Sequence, residues 1–380
     1  MENIDIKVIN HRMMKQILNR CYETKQPIDI KGASGIGKSW AIKELAQEKA
    51  VENKKRFFEW NEESYEEKLK LLNPEIARKC LILGDFRLSQ MDPTDLKGIP
   101  KQDKEYMTWT PDLFFKVISN PEVEGIVFFD EMNLASGSIQ AACYQILNDK
   151  QIGQMSLSKK ILYISAGNRI EDRGGVHTEA APLNNRRLNF TLQIPYMDQK
   201  SEDDFGKWMI KHNVMPLIVS FLYFKPSCVH TFDTKSKDPS FATPRMWHKL
   251  SPLIEGLEDE KLIKTIVAGA VGAGVALEFM AFRKLHEQIN VRDILDNPEK
   301  MSKITDLGMK HAITSGVAEL YRNDKKVLNQ VMALTMHMQP EFGMHMLRVI
   351  KGYCKGNYAN EVLACPNWER IRVEYTQYLM

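Results

Sequence analysis

The chain has 380 residues, with 52 lysines and arginines against 49 aspartates and glutamates, and its formal net charge is only +3. This balance argues against a strongly basic DNA-coating protein and against an acidic tail protein. Hydrophobic residues make up 43% of the chain and charged residues 27%, a composition that suits a globular protein of roughly two to three domains.

The cysteines and the N-terminal segment indicate the compartment. The six cysteines form no C-x-x-C pair, so neither a disulfide framework nor a zinc ribbon is indicated, and a reducing environment fits best. The segment MENIDIKVINHRMMKQ lacks the layout of a signal peptide. The longest uncharged apolar run, residues 265–277, is shorter than the about 20 residues that span a bilayer. We therefore expect a cytoplasmic protein without a membrane partner, and a buried helix at 265–277.

The first half of the chain alternates short apolar runs with segments of helical periodicity. Near-continuous apolar content is typical of strands that are buried on both faces. Strand–helix alternation predicts an α/β fold with a parallel five-stranded sheet covered by helices. The five predicted strands are 27–31 (PIDIK), 80–86 (CLILGDF), 125–130 (GIVFFD), 161–166 (ILYISA) and 188–194 (LNFTLQI).

Beyond Pro195 the spacing of apolar residues becomes helical throughout. Asn297 and Pro298 form a break between helical patterns. We therefore divide the chain into an α/β domain (1–195), a helical domain (196–297) and a helical C-terminal extension (298–380). The predicted helices are 204–213, 216–224, 243–253, 261–288, 304–322 and 324–338.

Residues 32–39, GASGIGKS, satisfy the pattern G-x-x-x-x-G-K-[ST] between a predicted strand and a helical segment. Glycines in such a loop let the backbone turn tightly and aim N–H groups inward, and the helix that follows adds a positive dipole. Lys38 is expected to reach the β- and γ-phosphates of a nucleotide, and Ser39 to bind Mg²⁺. The sequence therefore predicts a site for ATP with Mg²⁺.

Polar side chains end two further predicted strands. Asp130 and Glu131 follow the run at 125–130, and Asn168 follows the run at 161–166. Asp130 is expected to hold the Mg²⁺ water shell, and Glu131 to orient and activate the attacking water. The Asn168 amide is expected to hydrogen-bond both the γ-phosphate and that water. Solvated loop acids and a turn asparagine are the alternatives, which the preceding phosphate loop disfavours.

Arginines complete the predicted set. Arg186 and Arg187 precede the last predicted strand, and Arg245 opens a helix of the second domain. Arginine stabilises charge on a transferring phosphoryl group, and a neighbouring subunit can supply it. A surface or packing role is the alternative for each arginine, and most of all for Arg187.

With these residues in place, the chain resembles the AAA+ ATPases, and within them the MoxR and dynein-related branch. The resemblance covers at least residues 25–290. Beyond the nucleotide motifs it is carried, in the expected order, by the stretches LSQMDPTDLKGIP (88–100), FFDEMNLAS (128–136), SAGNRIEDRGGVHTEAAPLNNR (165–186), FATPRMWHKLS (241–251) and AVGAGVALEFMAF (270–282).

The resemblance implies an αβα sandwich followed by a helical lid, and a homo-oligomeric ring, usually a hexamer, with ATP at subunit interfaces. It implies that Asp130 and Glu131 are the Walker B acids, Asn168 sensor 1, Arg186 the arginine finger and Arg245 sensor 2. It also implies that Ser39 and Asp130 serve the metal. The Walker A loop and the residue after it are Gly32, Ala33, Ser34, Gly35, Ile36, Gly37, Lys38, Ser39 and Trp40.

Two insertions and three departures accompany the resemblance. Residues 87–110 match the insert after the second strand, and 147–160, with a turn at 149–153, match the hairpin before sensor 1; both are expected to face the pore or a partner. The loop reads GASG where many relatives have GPPG, and Trp40 stands where a smaller residue is common. Arg187 stands where an aromatic residue is expected. The finger is thus open among Arg186, Arg187 and Arg173 of the same loop.

The leading hypothesis is an ATPase that remodels or matures a partner protein. MoxR-like proteins are often paired with von Willebrand A-like proteins, so the resemblance implies such a client. A nucleic-acid motor or loader is the second hypothesis, against which the near-neutral charge and the absence of a basic stripe argue. An ATP-gated scaffold with little turnover is the third, against which Glu131 and Asn168 argue.

Overall fold

The computed structural model describes residues 7–103, 105–169, 185–198, 201–236, 238–353 and 358–379. The chain forms two compact units that meet in sequence between Ile194 and Pro195. The first is an α/β unit, and the described secondary-structure elements of the second are all helices. The further boundary predicted at 297 lies within the second unit and stays a prediction.

The first unit is built on a sheet of parallel strands. Its seven strands are β1 (Val8–Ile9), β2 (Ile28–Lys31), β3 (Arg56–Glu59), β4 (Cys80–Arg87), β7 (Glu124–Asp130), β10 (Ile161–Gly167) and β11 (Leu188–Leu192). Two antiparallel hairpins lie outside it: β5 (Ile99–Asp103) with β6 (Tyr106–Thr110), and β8 (Gln151–Ile152) with β9 (Met155–Ser156). The order across the sheet is β1-β11-β2-β10-β7-β4-β3, and every pair is parallel.

The prediction of a five-stranded sheet was therefore wrong in its strand count, although all five predicted strands are present. The structure adds β1 at one edge and β3 at the other. β1 has two residues, and β3 (RFFE) places two aromatic residues between charged ones. Neither segment contains the apolar run by which a buried strand is predicted, because an edge strand needs only one neighbour.

Helices cover both faces of this sheet. They are α1 (His11–Thr24), α2 (Lys38–Glu52), α3 (Tyr65–Lys70), α4 (Pro74–Ala77), α5 (Pro93–Lys97), α6 (Leu113–Ile118) and α7 (Gly137–Asp149). Leu162 of β10 packs in one apolar cluster with Ile42 of α2, whereas its neighbour Tyr163 packs in another with Ile139 of α7. Successive side chains of a strand point to opposite faces, so a strand buried on both faces reads as a continuous apolar run.

Both predicted insertions are present as exposed or short elements. Residues 87–110 contain a 3₁₀ turn (Leu88–Gln90), α5 and the β5–β6 hairpin, whose Trp109 and Met107 are exposed. The hairpin predicted within 147–160 is β8–β9. Its turn was wrongly predicted at 149–153, because α7 continues to Asp149 and the chain turns at Gly153, with φ 57° in the left-handed region.

The second unit is an assembly of helices around Trp247, Phe221 and Phe279. Ala312 and Val349 belong to the same core, so helices on both sides of residue 297 share it. Among the residues described, no helix is long and apolar enough to cross a membrane. The helices are α8 (Phe205–Lys211), α9 (Pro216–Phe224), α10 (Pro244–Ile254), α11 (Glu260–Val271), α12 (Ala273–Glu287), α13 (Val291–Asp296), α14 (Leu307–Asn323), α15 (Leu328–Thr335), α16 (Pro340–Tyr353), α17 (Tyr358–Leu363) and α18 (Trp368–Leu379).

The single helix predicted at 261–288 is in fact two, α11 and α12. Gly272 separates them with φ 90°, and a side chain there would collide with the Ser240 carbonyl. The boundary at Gly272 could not be predicted from the apolar run at 265–277, because a glycine among alanines and valines does not interrupt apolar periodicity. Helix α13 was not predicted, and α16, α17 and α18 were predicted only as part of the helical extension at 298–380, without individual bounds.

Two histidines lie in the interior of the second unit. His345 of α16 is 1% exposed, and its ring contacts those of Tyr223 and His311 at centroid distances of 4.5 Å and 5.4 Å. Neither ring nitrogen of His345 has a hydrogen-bond partner in the described part of the chain. Burial lowers the pKa of His311 to about 4, and burial, His311 and Arg348 hold the pKa of His345 well below its usual range.

These histidines predict acid sensitivity of the second unit. Both are neutral when folded, so their contribution to stability is complete above the unfolded pKa of 6.5 and is lost as pH falls toward 4. His311 alone is expected to lower the free energy of unfolding by about 2 kcal/mol between pH 7.5 and pH 5. Denaturant unfolding at both pH values, followed by amide exchange of α14 and α16, measures the loss. The double variant His311→Leu/His345→Phe should show a smaller loss, and equal losses would contradict the assignment.

Candidate functional site

The predicted phosphate loop lies between β2 and α2. Gly35 and Gly37 have φ values of 74° and 98°, a region that favours glycine. α2 begins at Lys38, directly after Gly37 at its N-cap position. A helix N-terminus that follows a glycine-rich turn is the arrangement that binds phosphate. The local geometry therefore fits the loop predicted at 32–39.

Lys38 lies within this loop. Its Nζ donates hydrogen bonds to the carbonyl oxygens of Gly32 at 2.7 Å and of Ala33 at 2.9 Å. The residue is only 8% exposed, so its positive charge is held where the loop's backbone converges. This is the position from which an ammonium group can attract the phosphates of a nucleotide.

Loss of that charge is expected to weaken nucleotide binding. Lys38→Ala removes the charge-assisted hydrogen bonds that the ammonium group is expected to donate to the phosphates of ATP. Bonds of this type stabilise by about 1.5–3 kcal/mol, so ATP affinity should fall roughly tenfold to a hundredfold. Titration with a fluorescent ATP analogue measures the change. Lys43→Ala is the matched control, since Lys43 lies on the same helix but pairs with Glu59 at 2.7 Å. Equal affinities for the two variants would argue against a phosphate-binding role for Lys38.

Asp130 ends β7 and faces the first turn of α2. The Ser39 hydroxyl donates to Asp130 Oδ2 at 3.4 Å, and the Glu131 backbone N–H donates to Oδ1 at 2.9 Å. Burial raises the pKa of Asp130, while the Glu131 N–H and the Lys38 charge oppose that rise. The structure thus brings together the hydroxyl and the carboxylate that were predicted to serve Mg²⁺.

Glu131 has an unusual backbone conformation. Its φ is 58°, in the left-handed region, which costs a non-glycine residue on the order of 1–3 kcal/mol. Its carboxylate accepts a hydrogen bond from the Ser89 hydroxyl, in the 3₁₀ turn that follows β4. Such strain persists where surrounding contacts hold it, and it is concentrated at functional sites. The Glu131 carboxylate is therefore held in place by backbone and side chain together.

Asn168 follows β10 directly and lies beside the start of the phosphate loop. The Gly32 N–H donates to the Gly167 carbonyl at 3.2 Å, which joins the loop to the end of β10. Asn133, 2% exposed, donates from Nδ2 to the Asn168 carbonyl at 2.6 Å. The loop, the two acids and the asparagine therefore meet at the carboxyl edge of one parallel sheet, where ligands bind in open α/β sheets.

Asp85 of β4 lies at the same edge and was not predicted from the sequence. Burial and the neighbouring Asp130 charge raise the pKa of the Asp85 carboxyl to about 6. Its Oδ1 is buried and has no hydrogen-bond partner among the described residues. The available signal was a single acid in the apolar run CLILGDF. Ser89, Asn133 and His11, whose Nε2 lies 2.7 Å from the Ile36 carbonyl, were also missed.

Arg186 lies at the amino ends of the parallel strands, whereas the phosphate loop of the same subunit lies at their carboxyl ends. Leu188 pairs with Ile28, four residues before Gly32, so β2 separates the two by about 13 Å. The Arg186 Nε donates to Asn148 Oδ1 at 2.6 Å, and its guanidinium lies 4.8 Å from the centre of the Tyr144 ring. The structure therefore does not join Arg186 to the phosphate loop of the same chain.

Arg187 is buried, in contrast to its neighbour. Its side chain is 0% exposed and lies 3.2 Å from Asp29 Oδ1. A guanidinium enclosed in this way cannot reach another subunit, so Arg187 is not a suitable finger. Arg173, the third arginine considered, lies outside the described residues.

Arg245 is the second residue of α10 in the helical unit. It is exposed, and Thr243 caps the helix by accepting from the Met246 N–H at 3.1 Å. Its sensor 2 role stays a prediction. Trp40, also predicted to border the nucleotide, is 44% exposed on the first turn of α2.

The donor set at the carboxyl edge fits Mg²⁺ and ATP. Backbone N–H groups and the Lys38 ammonium suit phosphate oxygens, whereas the Ser39 hydroxyl and the Asp130 carboxylate are oxygen ligands of the kind Mg²⁺ prefers. Within the described ranges there is no cluster of three or more His, Cys, Asp or Glu that could hold a metal ion by itself.

Comparisons with known proteins give only distant similarities. No protein-family model matches the sequence, and a search of curated proteins finds no match. Among solved structures, RuvB of Thermotoga maritima (P216G mutant) is similar with a TM-score of 0.36 and 14% identity, covering 75% of each chain. A DNA polymerase III gamma subunit-related protein from Thermotoga maritima has a TM-score of 0.34 and 13% identity, covering 94% of this chain and 99% of that one.

NtrX from Brucella abortus, solved with ADP, has a TM-score of 0.34 and 15% identity, covering 66% of this chain and 50% of that one. At such low TM-scores the similarities do not carry a role for any residue of this chain.

Proposed function

We propose that this chain is an AAA+ ATPase that hydrolyses ATP with Mg²⁺ at the interfaces of a homo-oligomeric ring. The observation that carries the proposal is the convergence of Lys38, Ser39, Asp130, Glu131 and Asn168 at one edge of the parallel sheet. Each side chain has the chemistry that phosphoryl transfer to water requires of its position.

In this proposal each residue has one task. Lys38 and the loop N–H groups bind the β- and γ-phosphates, and Ser39 and Asp130 hold the metal. Bound Mg²⁺ would neutralise charge on the phosphate oxygens. Glu131 orients the attacking water and accepts its proton, and Asn168 hydrogen-bonds the water and the γ-phosphate. The hydrogen bond from the Ser89 hydroxyl orients the Glu131 carboxylate for this task.

A shared active site is proposed because the remaining arginine lies far from its own loop. Arg186 is half-buried at the amino edge of the sheet, supported by Asn148 and Tyr144. From there it could complete the site of a neighbouring subunit, as trans arginines do in other nucleotide hydrolases. If each subunit supplies one finger and receives one, the contact is head-to-tail, and it forms a ring when the rotation between neighbours closes.

The biological task we propose is remodelling or maturation of a partner protein, as in MoxR-like ATPases. The motif stretches that resemble that branch support it, as does the exposed β5–β6 hairpin with Trp109 and Met107 on its surface. A von Willebrand A-like protein is the client class that the resemblance implies. A net charge of +3 gives no reason to expect stimulation by nucleic acid.

The test is ATP turnover per subunit against protein concentration, with particle mass recorded in parallel. Turnover should rise with concentration and follow an ATP-induced large oligomer, because an isolated subunit lacks the finger of a neighbour. The reaction should require Mg²⁺ and stop in excess chelator. Turnover that stays constant while the particle remains monomeric would contradict the shared site.

A further inference from the structure

A buried ion pair crosses three strands beside the candidate site. Asp29 lies in β2 and Ser165 in the neighbouring strand β10, and Arg187 directly precedes β11, the neighbour of β2 on its other side. The Arg187 Nη1 donates to Ser165 Oγ at 2.8 Å and lies 3.2 Å from Asp29 Oδ1. The Ser165 hydroxyl in turn donates to Asp29 Oδ1 at 2.7 Å. The Asp29 side chain is 1% exposed and Ser165 is 0% exposed, so the network is shielded from water.

Stability alone does not explain this network. Burial of two charges is costly, and well-packed apolar residues of the same volume often serve a core equally well or better. The best-attested use of buried polar groups is to specify one arrangement among several, since any other leaves a charge unpaired. Here the specified arrangement is the position of the turn before β11 relative to β2 and β10.

The elements joined by the network carry functional residues at their ends. β2 leads to Gly32 three residues after Asp29, and β10 leads to Asn168 three residues after Ser165. Arg187 is preceded by Arg186, whose guanidinium is supported separately by Asn148 and Tyr144 of α7. With the Arg187 side chain fixed in the interior, Arg186 is held at the surface at the amino edge of the sheet.

We infer that Asp29, Ser165 and Arg187 are positioning residues for the trans finger Arg186. They anchor the turn that carries the finger to the strands that carry the phosphate loop and Asn168 of the same subunit. This inference rests on the proposed function, because it assigns the network to the shared site. A subunit without the anchor keeps its own nucleotide site but presents its finger poorly to its neighbour.

Subunit mixing tests this assignment. The variant Asp29→Asn/Arg187→Met removes both charges of this ion pair together, so neither is left facing an uncharged replacement of the other. Alone, it should bind ATP with unchanged affinity, within about twofold, and lose turnover by about a hundredfold, the loss typical of a misplacement near 1 Å. Mixed with excess Glu131→Gln subunits, which lack the general base but carry an intact finger, it should regain at least about tenfold in turnover, to roughly a tenth of the wild-type rate.

Two further variants keep the test decisive. Ser165→Ala retains the ion pair and deletes only the bridging hydroxyl. It should show the same pattern with a smaller loss of turnover, and it replaces the double variant in the test if that variant fails to fold. Tyr163→Phe is its matched control on β10, because the Tyr163 hydroxyl is buried without a hydrogen-bond partner among the described residues. Its turnover should equal that of the wild type.

A mixture of Arg186→Ala and Glu131→Gln subunits distinguishes a failure of the anchor inference from a failure of the trans-finger proposal. If that mixture regains turnover but the anchor variants do not, the network serves the variant's own site or its fold, and the inference is overturned. If Arg186→Ala is not rescued either, the trans finger itself is wrong and both proposals fail. Reduced ATP affinity in the anchor variants would likewise assign the network to the subunit's own nucleotide site.

Discussion

Replacement of Glu131 by glutamine is expected to lower ATP turnover by roughly a hundredfold to ten-thousandfold, the range attributed to a positioned general base. Glu131 directly follows Asp130, the last residue of β7, in a left-handed backbone conformation, and its carboxylate accepts a hydrogen bond from the Ser89 hydroxyl. Glutamine preserves the size of the side chain but cannot accept the proton of the attacking water. ATP should therefore still bind while hydrolysis stops.

Steady-state turnover and single-turnover kinetics, measured beside ATP affinity, make this test. Glu122→Gln is a suitable control, because Glu122 precedes the same strand and pairs at the surface with Lys160 at 2.9 Å. Unchanged turnover in Glu131→Gln would remove the catalytic assignment. A wild type that binds ATP but shows hardly any turnover would instead favour the ATP-gated scaffold.

Replacement of Arg186 by alanine is expected to lower ATP turnover by roughly a thousandfold or more, in line with the effect of trans arginines in other nucleotide hydrolases. The residue lies at the amino edge of the sheet, away from its own phosphate loop. ATP affinity and ATP-induced oligomer formation should therefore be retained, because no phosphate contact within the subunit is lost. This separation of assembly from turnover is the signature of a shared site.

The particle mass of Arg186→Ala with and without ATP shows whether assembly is retained, and ATP turnover measured in parallel shows whether hydrolysis is lost. Arg78→Ala serves as the control, since Arg78 is exposed and pairs with Glu75 on the surface of the same unit. If Arg186→Ala kept wild-type turnover, the finger would have to lie elsewhere, and Arg173 would be the next candidate. If the variant failed to bind ATP, the loss would reflect damage to its own site.

The errors in the predicted fold have particular physical causes. β1 and β3 were missed because a short strand at the edge of a sheet pairs with only one other strand, and its sequence needs no apolar run. The break at Gly272 was hidden within an apolar segment, since only its φ of 90° and the nearby Ser240 carbonyl require glycine there. In both places the deciding contact lies outside the window from which a pattern can be recognised.

The sequence by itself determined the parts of the site that consecutive residues build. Gly32 to Ser39, the predicted phosphate loop, are one continuous segment, so glycine spacing and the flanking elements were sufficient to predict a glycine-rich turn between β2 and α2. Asp130, Glu131 and Asn168 each follow a strand with a clear apolar run. Because the carboxyl ends of parallel strands lie at one edge of a sheet, their convergence could be predicted before any coordinate was known.

Only the tertiary structure decided what distinguishes Arg186 from Arg187. The two are adjacent and chemically identical, yet one contacts Asn148 and Tyr144 at the surface while the other is enclosed with Asp29 and Ser165. Those partners come from distant parts of the chain, so no local pattern contains them. The burial of a charge depends on the elements that fold around it, and here that burial separates the candidate finger from its anchor.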